Sequence, residues 1–157
     1  MKLLFWSIGK ENDSYVKEGV EDFTNRISRY FPCEWKIVAP PKNAAYMSDT
    51  AQKEAESSLL IGSLDPVDFM VLLDERGKML TSPGLSHLIS ERAVSSTRRI
   101  IFVIGGAFGV TEAVRKRADL VWQLSQLVFP HQLVRLILAE QIYRACSILK
   151  NEKYHHV

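Results

Sequence analysis

Two polar side chains near the carboxyl end of the sequence have types and spacing that could support chemistry. His131 follows the segment SQLVFP, and Arg135 comes four residues later, on the same face of a predicted helix. An imidazole can accept a proton near neutral pH, and a guanidinium can bind a phosphate or stabilise a negatively charged oxygen. Each residue also has a simpler interpretation. His131 could bond to backbone at the start of the helix, and Arg135 could pair with Glu140 of the same or another chain.

The tail of the sequence is the second candidate, because it reads YHH at residues 154–156. Tyr154 can stack on a nucleobase, and His155 or His156 can donate to a phosphate or accept a proton. The general expectation for a terminus is a frayed end without function. Residue chemistry alone leaves both interpretations open.

A glycine-rich segment, GGAFG at residues 105–109, follows the apolar run RIIFVI. A dinucleotide-binding turn would read G-x-G-x-x-G after the first strand, and a P-loop would continue into Gly-Lys-Ser/Thr. The segment matches neither pattern. Two interpretations remain, a tight turn or a close approach of the backbone to a ligand. Backbone and apolar side chains suit an adenine ring better than a pyrophosphate.

An alternating series of strands and helices must position these residues. The pattern indicates one α/β domain over residues 1–157, with a mainly parallel sheet flanked by helices. Ligands of such sheets lie beyond the carboxyl ends of the strands, which brings together the loops LDERG, GGAFG and SQLVFPH. Ser82 is expected to cap the third helix, with Pro83 as its first helical residue. Strands are predicted at 2–8, 35–39, 68–74, 99–105 and 119–125, and helices at 13–30, 48–60, 82–94, 111–118 and 131–150.

The last predicted helix, residues 131–150, is apolar around most of its circumference. A surface helix carries a single apolar stripe, so this helix needs cover on two sides. The sheet can cover one side. A second copy of the chain would cover the other, which predicts a homodimer. The alternative is a central position in the core of a monomer.

The composition is that of an ordinary globular protein, with 46% hydrophobic and 24% charged residues and a net charge of +2. That charge alone does not indicate nucleic-acid binding. No apolar run reaches the length of a membrane span, and the start MKLLFWSIGK lacks a small-residue cleavage site. Cys33 and Cys146 have no metal-binding spacing. We therefore expect a cytoplasmic protein that has neither a membrane segment nor a metal site.

Five segments carry a resemblance to a known family: KLLFWSIGK, LDERGKMLTSPGL, VIGGAFG, LSQLVFPHQLVRLILAEQIYRA and the terminal YHH. Together they extend over essentially the whole chain, and they resemble the ribosomal large-subunit pseudouridine N3-methyltransferases of the SPOUT superfamily. The resemblance implies an α/β fold with a carboxyl-terminal trefoil knot and a cytoplasmic homodimer. It also implies S-adenosyl-L-methionine as methyl donor and ribosomal RNA as partner, in the assembled ribosome or the large subunit. The expected reaction is methylation of N3 of a pseudouridine in that RNA.

The resemblance also implies which residues form the site. The methyl donor is expected to contact the three loops at the carboxyl edge of the sheet, through Leu73, Gly105, Gly106, Leu124, Ser125, Gln126, Leu127, Val128 and Phe129. The catalytic candidates are His131, Arg135, Tyr154 and His155. In a dimer, the tail could complete the site of the neighbouring subunit.

Two other functions compete with this one. A catalytically silent RNA- or ribosome-binding factor could keep the same fold, although the glycines and His131 argue against it. A nicotinamide-dependent oxidoreductase is disfavoured because the glycine pattern follows the fourth predicted strand and not the first.

Overall fold

The computed structural model describes residues 1–156, which form a five-stranded sheet with every neighbouring pair of strands parallel. The strands lie in the order β2-β1-β4-β3-β5. The predicted α/β class with a parallel sheet is therefore confirmed. The strands are β1 (Lys2–Ile8), β2 (Cys33–Val38), β3 (Phe69–Met79), β4 (Arg99–Ile104) and β5 (Leu120–Gln123); the helices are α1 (Ser14–Ile27), α2 (Asp49–Gly62), α3 (Ser82–Val94), α4 (Glu112–Arg117) and α5 (His131–Leu149), with a short 3-10 turn at Ala44–Tyr46.

Helices cover both faces of the sheet, which is why its central strands are apolar without interruption. Alternate residues of β1 enter two separate cores. Leu3 and Phe5 pack with side chains of α1, α3 and α5, whereas Leu4 and Trp6 pack with side chains of α2 and α4. The two cores hold the carboxyl ends of β3, β4 and β5 in fixed relative positions.

Helix α5 lies between α1 and α3 on one face of the sheet. Leu138 and Ile142 of α5 pack into the core that α1 and α3 share. Both sides of α5 are therefore covered within one chain. No large apolar side chain of α5 is among the exposed ones of residues 1–156. The two-sided apolar pattern that predicted a homodimer is thus explained by neighbouring helices and does not by itself require a second copy.

Strand β3 ends five residues later than predicted, since it continues to Met79 instead of ending at residue 74. Its pairing with β5 is irregular: Leu73 and Lys78 both lie opposite Trp122. Gly77 allows β3 to pair with β5 again at Lys78, because an added Cβ at Gly77 would lie 2.5 Å from the carbonyl oxygen of Val121. The acidic segment after Leu73 therefore bulges out of the pairing between β3 and β5, at the carboxyl end of the sheet.

The start of α3 differs by one residue from the prediction. Thr81, and not Ser82, is the N-cap, and its hydroxyl accepts a hydrogen bond of 3.0 Å from the backbone N–H of Gly84. Both residues have a suitable hydroxyl, so the sequence pattern could not separate them. Ser48 caps α2 through a bond from the N–H of Ala51.

Candidate functional site

A cavity of about 530 Å³ opens at the carboxyl ends of β3, β4 and β5. This is the place where ligands of parallel α/β sheets bind. Its walls are the three loops that follow these strands, together with the first turn of α5. The predicted site residues that line it are Leu73, Gly105, Gly106, Leu124, Ser125, Leu127, Val128, Phe129 and His131.

Four predicted site residues are not part of this lining. Gln126 belongs to the loop after β5, but its side chain does not face the cavity. Arg135 lies one helical turn beyond His131, behind the cavity. Tyr154 and His155 lie in the tail, away from it.

The glycine segment is both a tight turn and a wall of the cavity. The N–H of Gly109 donates to the carbonyl of Gly106 at 3.0 Å, and Gly109 has a φ of +75° that favours glycine. Gly105 is restricted differently, because an added Cβ would lie 2.7 Å from Cγ1 of Val110. The turn therefore excludes side chains at its base, which leaves backbone groups facing the cavity.

Charged side chains at the cavity were not among the predicted site residues. Arg115 donates to the carbonyl of Val110 at 3.0 Å and lies 3.9 Å from the carboxylate of Asp74. Asp74 belongs to the LDERG segment, so the sequence position of this loop was a usable signal for it. The charged side chains that α2 and α4 contribute to the cavity, Lys53 and Arg115, could not be predicted from motif positions. The charged lining residues are Lys53, Asp74, Glu75, Arg76 and Arg115.

His131 is the first residue of α5 and lines the cavity. Burial and the neighbouring guanidinium of Arg135 lower the pKa of its imidazole below the ordinary value, against a partial opposing effect of the carbonyls of Gly105 and Ile8. The imidazole is therefore neutral near pH 7. Its Nε2 is buried and has no hydrogen-bond partner among residues 1–156. A neutral imidazole has one nitrogen without a proton, which can act as a general base.

Arg135 is only 1% exposed, and protein groups occupy its guanidinium. Nε donates to Oγ of Ser7 at 2.8 Å, and Nη1 donates to the carbonyl of Lys10 at 2.8 Å and to Oδ1 of Asn12 at 2.7 Å. These bonds join α5 to the end of β1. Within the chain, the alternative ion pair with Glu140 is wrong, since that carboxylate pairs with another arginine.

The tail is packed against α5 through a cluster that we call the tail cluster, composed of Glu140, Tyr143, Arg144 and Tyr154. The hydroxyl of Tyr154 donates to Glu140 at 3.1 Å, and its ring meets the edge of Tyr143 with centroids 4.6 Å apart. The guanidinium of Arg144 lies 2.5 Å from Glu140 and 4.8 Å from the centroid of the Tyr154 ring. Tyr154 is therefore held in place, unlike a frayed end.

The tail cluster and the cavity lie at different levels of α5. Glu140 comes nine residues after His131, which corresponds to about 14 Å along the helix axis. The structure thus brings His131 together with the loop residues and leaves Tyr154 apart from them within one chain.

A parallel sheet with a cavity at its carboxyl edge, lined by backbone, apolar and charged groups, defines an α/β protein suited to a nucleoside ligand. Residues 1–155 match the model of the family described as "Predicted SPOUT methyltransferase". The chain therefore belongs to the SPOUT methyltransferase family.

Similar proteins match the chain along nearly its whole length. It is 45% identical to the ribosomal RNA large subunit methyltransferase H of Cytophaga hutchinsonii over 156 residues, which cover 99% of this chain and 100% of the relative. The protein of the same name from Parabacteroides distasonis is 42% identical, with 99% of both chains covered. The crystal structure of the tRNA (m1G37) methyltransferase from Aquifex aeolicus has the same fold, with a TM-score of 0.51 at 14% identity over 99% of this chain and 74% of that one.

Residues 1–156 contain neither a membrane-spanning helix nor a cluster of metal ligands. None of the helices in this part of the chain is long and apolar enough to cross a membrane. The same residues contain no group of three or more His, Cys, Asp or Glu side chains placed to hold a metal ion.

Proposed function

We propose that this chain transfers the methyl group of S-adenosyl-L-methionine to N3 of a pseudouridine in large-subunit ribosomal RNA, in the cytoplasm. Relatives named ribosomal RNA large subunit methyltransferase H match 99% of the chain. The observation that carries the proposal is the cavity, which is lined by eight of the nine residues expected to bind the donor: Leu73, Gly105, Gly106, Leu124, Ser125, Leu127, Val128 and Phe129.

The cavity residues fit the methyl donor. A volume of about 530 Å³ lies within the usual range for small-molecule sites. A Cβ at Gly105 or Gly106 would collide with neighbouring side chains, so these two positions present only backbone to a ligand. Backbone N–H and C=O groups can recognise an adenine, and Leu127 and Phe129 add apolar walls. The donor's sulfonium is a reactive electrophile, so the protein's main task is alignment.

The acceptor N3 carries a proton that must leave when the new C–N bond forms. His131 would accept it, and this role is supported by its imidazole, which lines the cavity and has a lowered pKa. Arg135 would act through His131, as a positioning residue. Its bonds to the end of β1 hold the first turn of α5, and its charge keeps the imidazole neutral.

The position of the tail supports a homodimer with composite sites. Tyr154 lies about 14 Å along α5 from the level of His131, so the tail of one chain is better placed to serve the cavity of a partner. There Tyr154 would stack on the acceptor base and His155 would bind the RNA backbone. We include the trefoil knot in this proposal, because membership of the SPOUT methyltransferase family implies it.

The test is to map methylated nucleotides in ribosomal RNA from cells with and without the gene, followed by methylation of the unmodified particles in vitro. Purified protein with S-adenosyl-L-methionine should restore one methyl group on a pseudouridine of the large subunit, in ribosomes or in isolated subunits. Binding to the particle without methyl transfer would identify a silent binding factor and refute the enzymatic function.

A further inference from the structure

Glu56 of α2 is a buried carboxylate that the mechanism above does not use. Its side chain is only 2% exposed. Oε1 accepts a hydrogen bond of 2.8 Å from Nε2 of Gln52, whereas Oε2 is enclosed and has no hydrogen-bond partner among residues 1–156. A buried carboxylate oxygen without a partner is costly, so its presence calls for a functional explanation.

The carboxylate lies directly behind the glycine wall of the cavity. An added Cβ at Gly106 would be 2.9 Å from the carboxyl carbon of Glu56 and 3.2 Å from Oε1, and it would be closest to Oε2. Gly106 itself lines the cavity. The next residue of α2, Ser57, fixes this arrangement by accepting a hydrogen bond of 3.0 Å from the N–H of Thr111. Gly106 is therefore adjacent to the carboxylate and also lines the cavity.

No cation of residues 1–156 forms a salt bridge with Glu56. Lys53, one turn earlier on α2, lines the cavity and forms no ion pair with any of residues 1–156. His131 lies near enough to feel the charge of Glu56, but burial and Arg135 keep the imidazole neutral. The wall behind Gly106 thus offers a negative charge that the protein leaves without a direct partner.

We propose that Glu56 is a positioning residue that stabilises the positive sulfonium of the methyl donor across the Gly106 wall. The proposal rests on the donor assignment made above. The sulfonium must lie beside the acceptor and its base, and His131 is near the same Gly105–Gly106 turn. Because the product S-adenosylhomocysteine has a neutral sulfur, the charge of Glu56 would favour binding of donor over product. It would therefore also assist product release.

The test compares binding of the two ligands by calorimetry in Glu56→Gln, which keeps the shape and removes the charge. We expect about tenfold weaker binding of S-adenosyl-L-methionine and less than about twofold change for S-adenosylhomocysteine, equivalent to about 1.4 kcal/mol of selectivity. The matched control is Glu54→Gln, on the exposed side of the same helix, which should leave both affinities unchanged. Equal losses for both ligands, or no loss for either, would overturn the proposal.

A second variant covers the case in which Glu56→Gln does not fold. Glu56→Asp keeps the charge and should retain at least part of the preference for donor over product; loss of that preference in a folded protein would refute the role of the charge. If the wild type binds neither ligand, the donor assignment itself fails and this proposal fails with it. If the wild type binds the donor and Glu56→Gln matches it, only the role of Glu56 is refuted.

Discussion

Replacement of Arg135 by methionine should destabilise the fold and change the titration of His131. The substitution removes three hydrogen bonds, to Ser7, Lys10 and Asn12, from a side chain that is 1% exposed. The substitution leaves these oxygen atoms without their donor, and each buried polar group that stays unsatisfied costs about 1–3 kcal/mol. Since a domain has only about 5–15 kcal/mol of total stability, this is a large share of it.

The direction of the His131 shift follows from the same contact. Arg135 is the second-largest cause, after burial, of the lowered pKa of His131. Without the guanidinium, the pKa should rise toward its ordinary value, and a larger fraction of the imidazole should be protonated at neutral pH. The reaction would then lose its proton acceptor in that fraction of molecules.

Urea unfolding measures the first effect, and NMR titration of the His131 ring measures the second. The matched control is Arg98→Met, because Arg98 is exposed at the start of β4 and should tolerate replacement within about 0.5 kcal/mol. The reasoning is refuted if Arg135→Met lowers the free energy of unfolding by less than about 1 kcal/mol and leaves the titration of His131 unchanged.

Three further predictions concern the cavity, the tail and pH. Gly105→Val should abolish calorimetric binding of S-adenosyl-L-methionine, because its Cβ would lie 2.7 Å from Val110; wild-type affinity would remove Gly105 from the site. Deleting residues 154–157 should leave donor affinity nearly intact and reduce methylation about a hundredfold, a typical cost of a positioning error of about 1 Å; full activity on ribosomal substrate would mean that the tail is dispensable. The pKa of His131 is lower in the folded state, so the unfolded chain binds the proton more readily. The contribution of neutral His131 to the free energy of unfolding should therefore be complete above about pH 6.5 and be lost as the pH falls toward the folded-state pKa. Urea unfolding from pH 7.5 to 5 checks this against His131→Gln, which should lack that part of the dependence.

The local patterns of the sequence were sufficient for the elements and for the place of the cavity. Apolar runs identified the central strands β1, β3 and β4, because strands covered on both faces must be continuously hydrophobic. Shorter runs identified the edge strands β2 and β5. The order of strands and loops then placed Leu73, Gly105 and His131 at one edge, since parallel strands end on the same side. The resemblance to known methyltransferases added the identity of the ligand, which no spacing rule supplies.

The side-chain partners could not be predicted, because they join residues that are distant in the sequence. Arg135 meets residues near position 10, more than 120 positions away, and a buried network replaces the expected ligand contact. The hydroxyl of Tyr154 had many possible partners in the sequence, and in the structure it donates a hydrogen bond to Glu140. Glu56 looks like an ordinary surface acid of a charged helix.

The sequence by itself determined the alternation of strands and helices, the glycine turn and the family to which the chain belongs. These properties depend on local periodicity and on residues that are adjacent in the chain. Only the tertiary structure decided that α1 and α3 enclose α5, that Arg135 is fully bonded within the protein, and that Glu56 faces Gly106. Burial and electrostatic environment arise when distant segments pack together, and a one-dimensional pattern does not contain those distances.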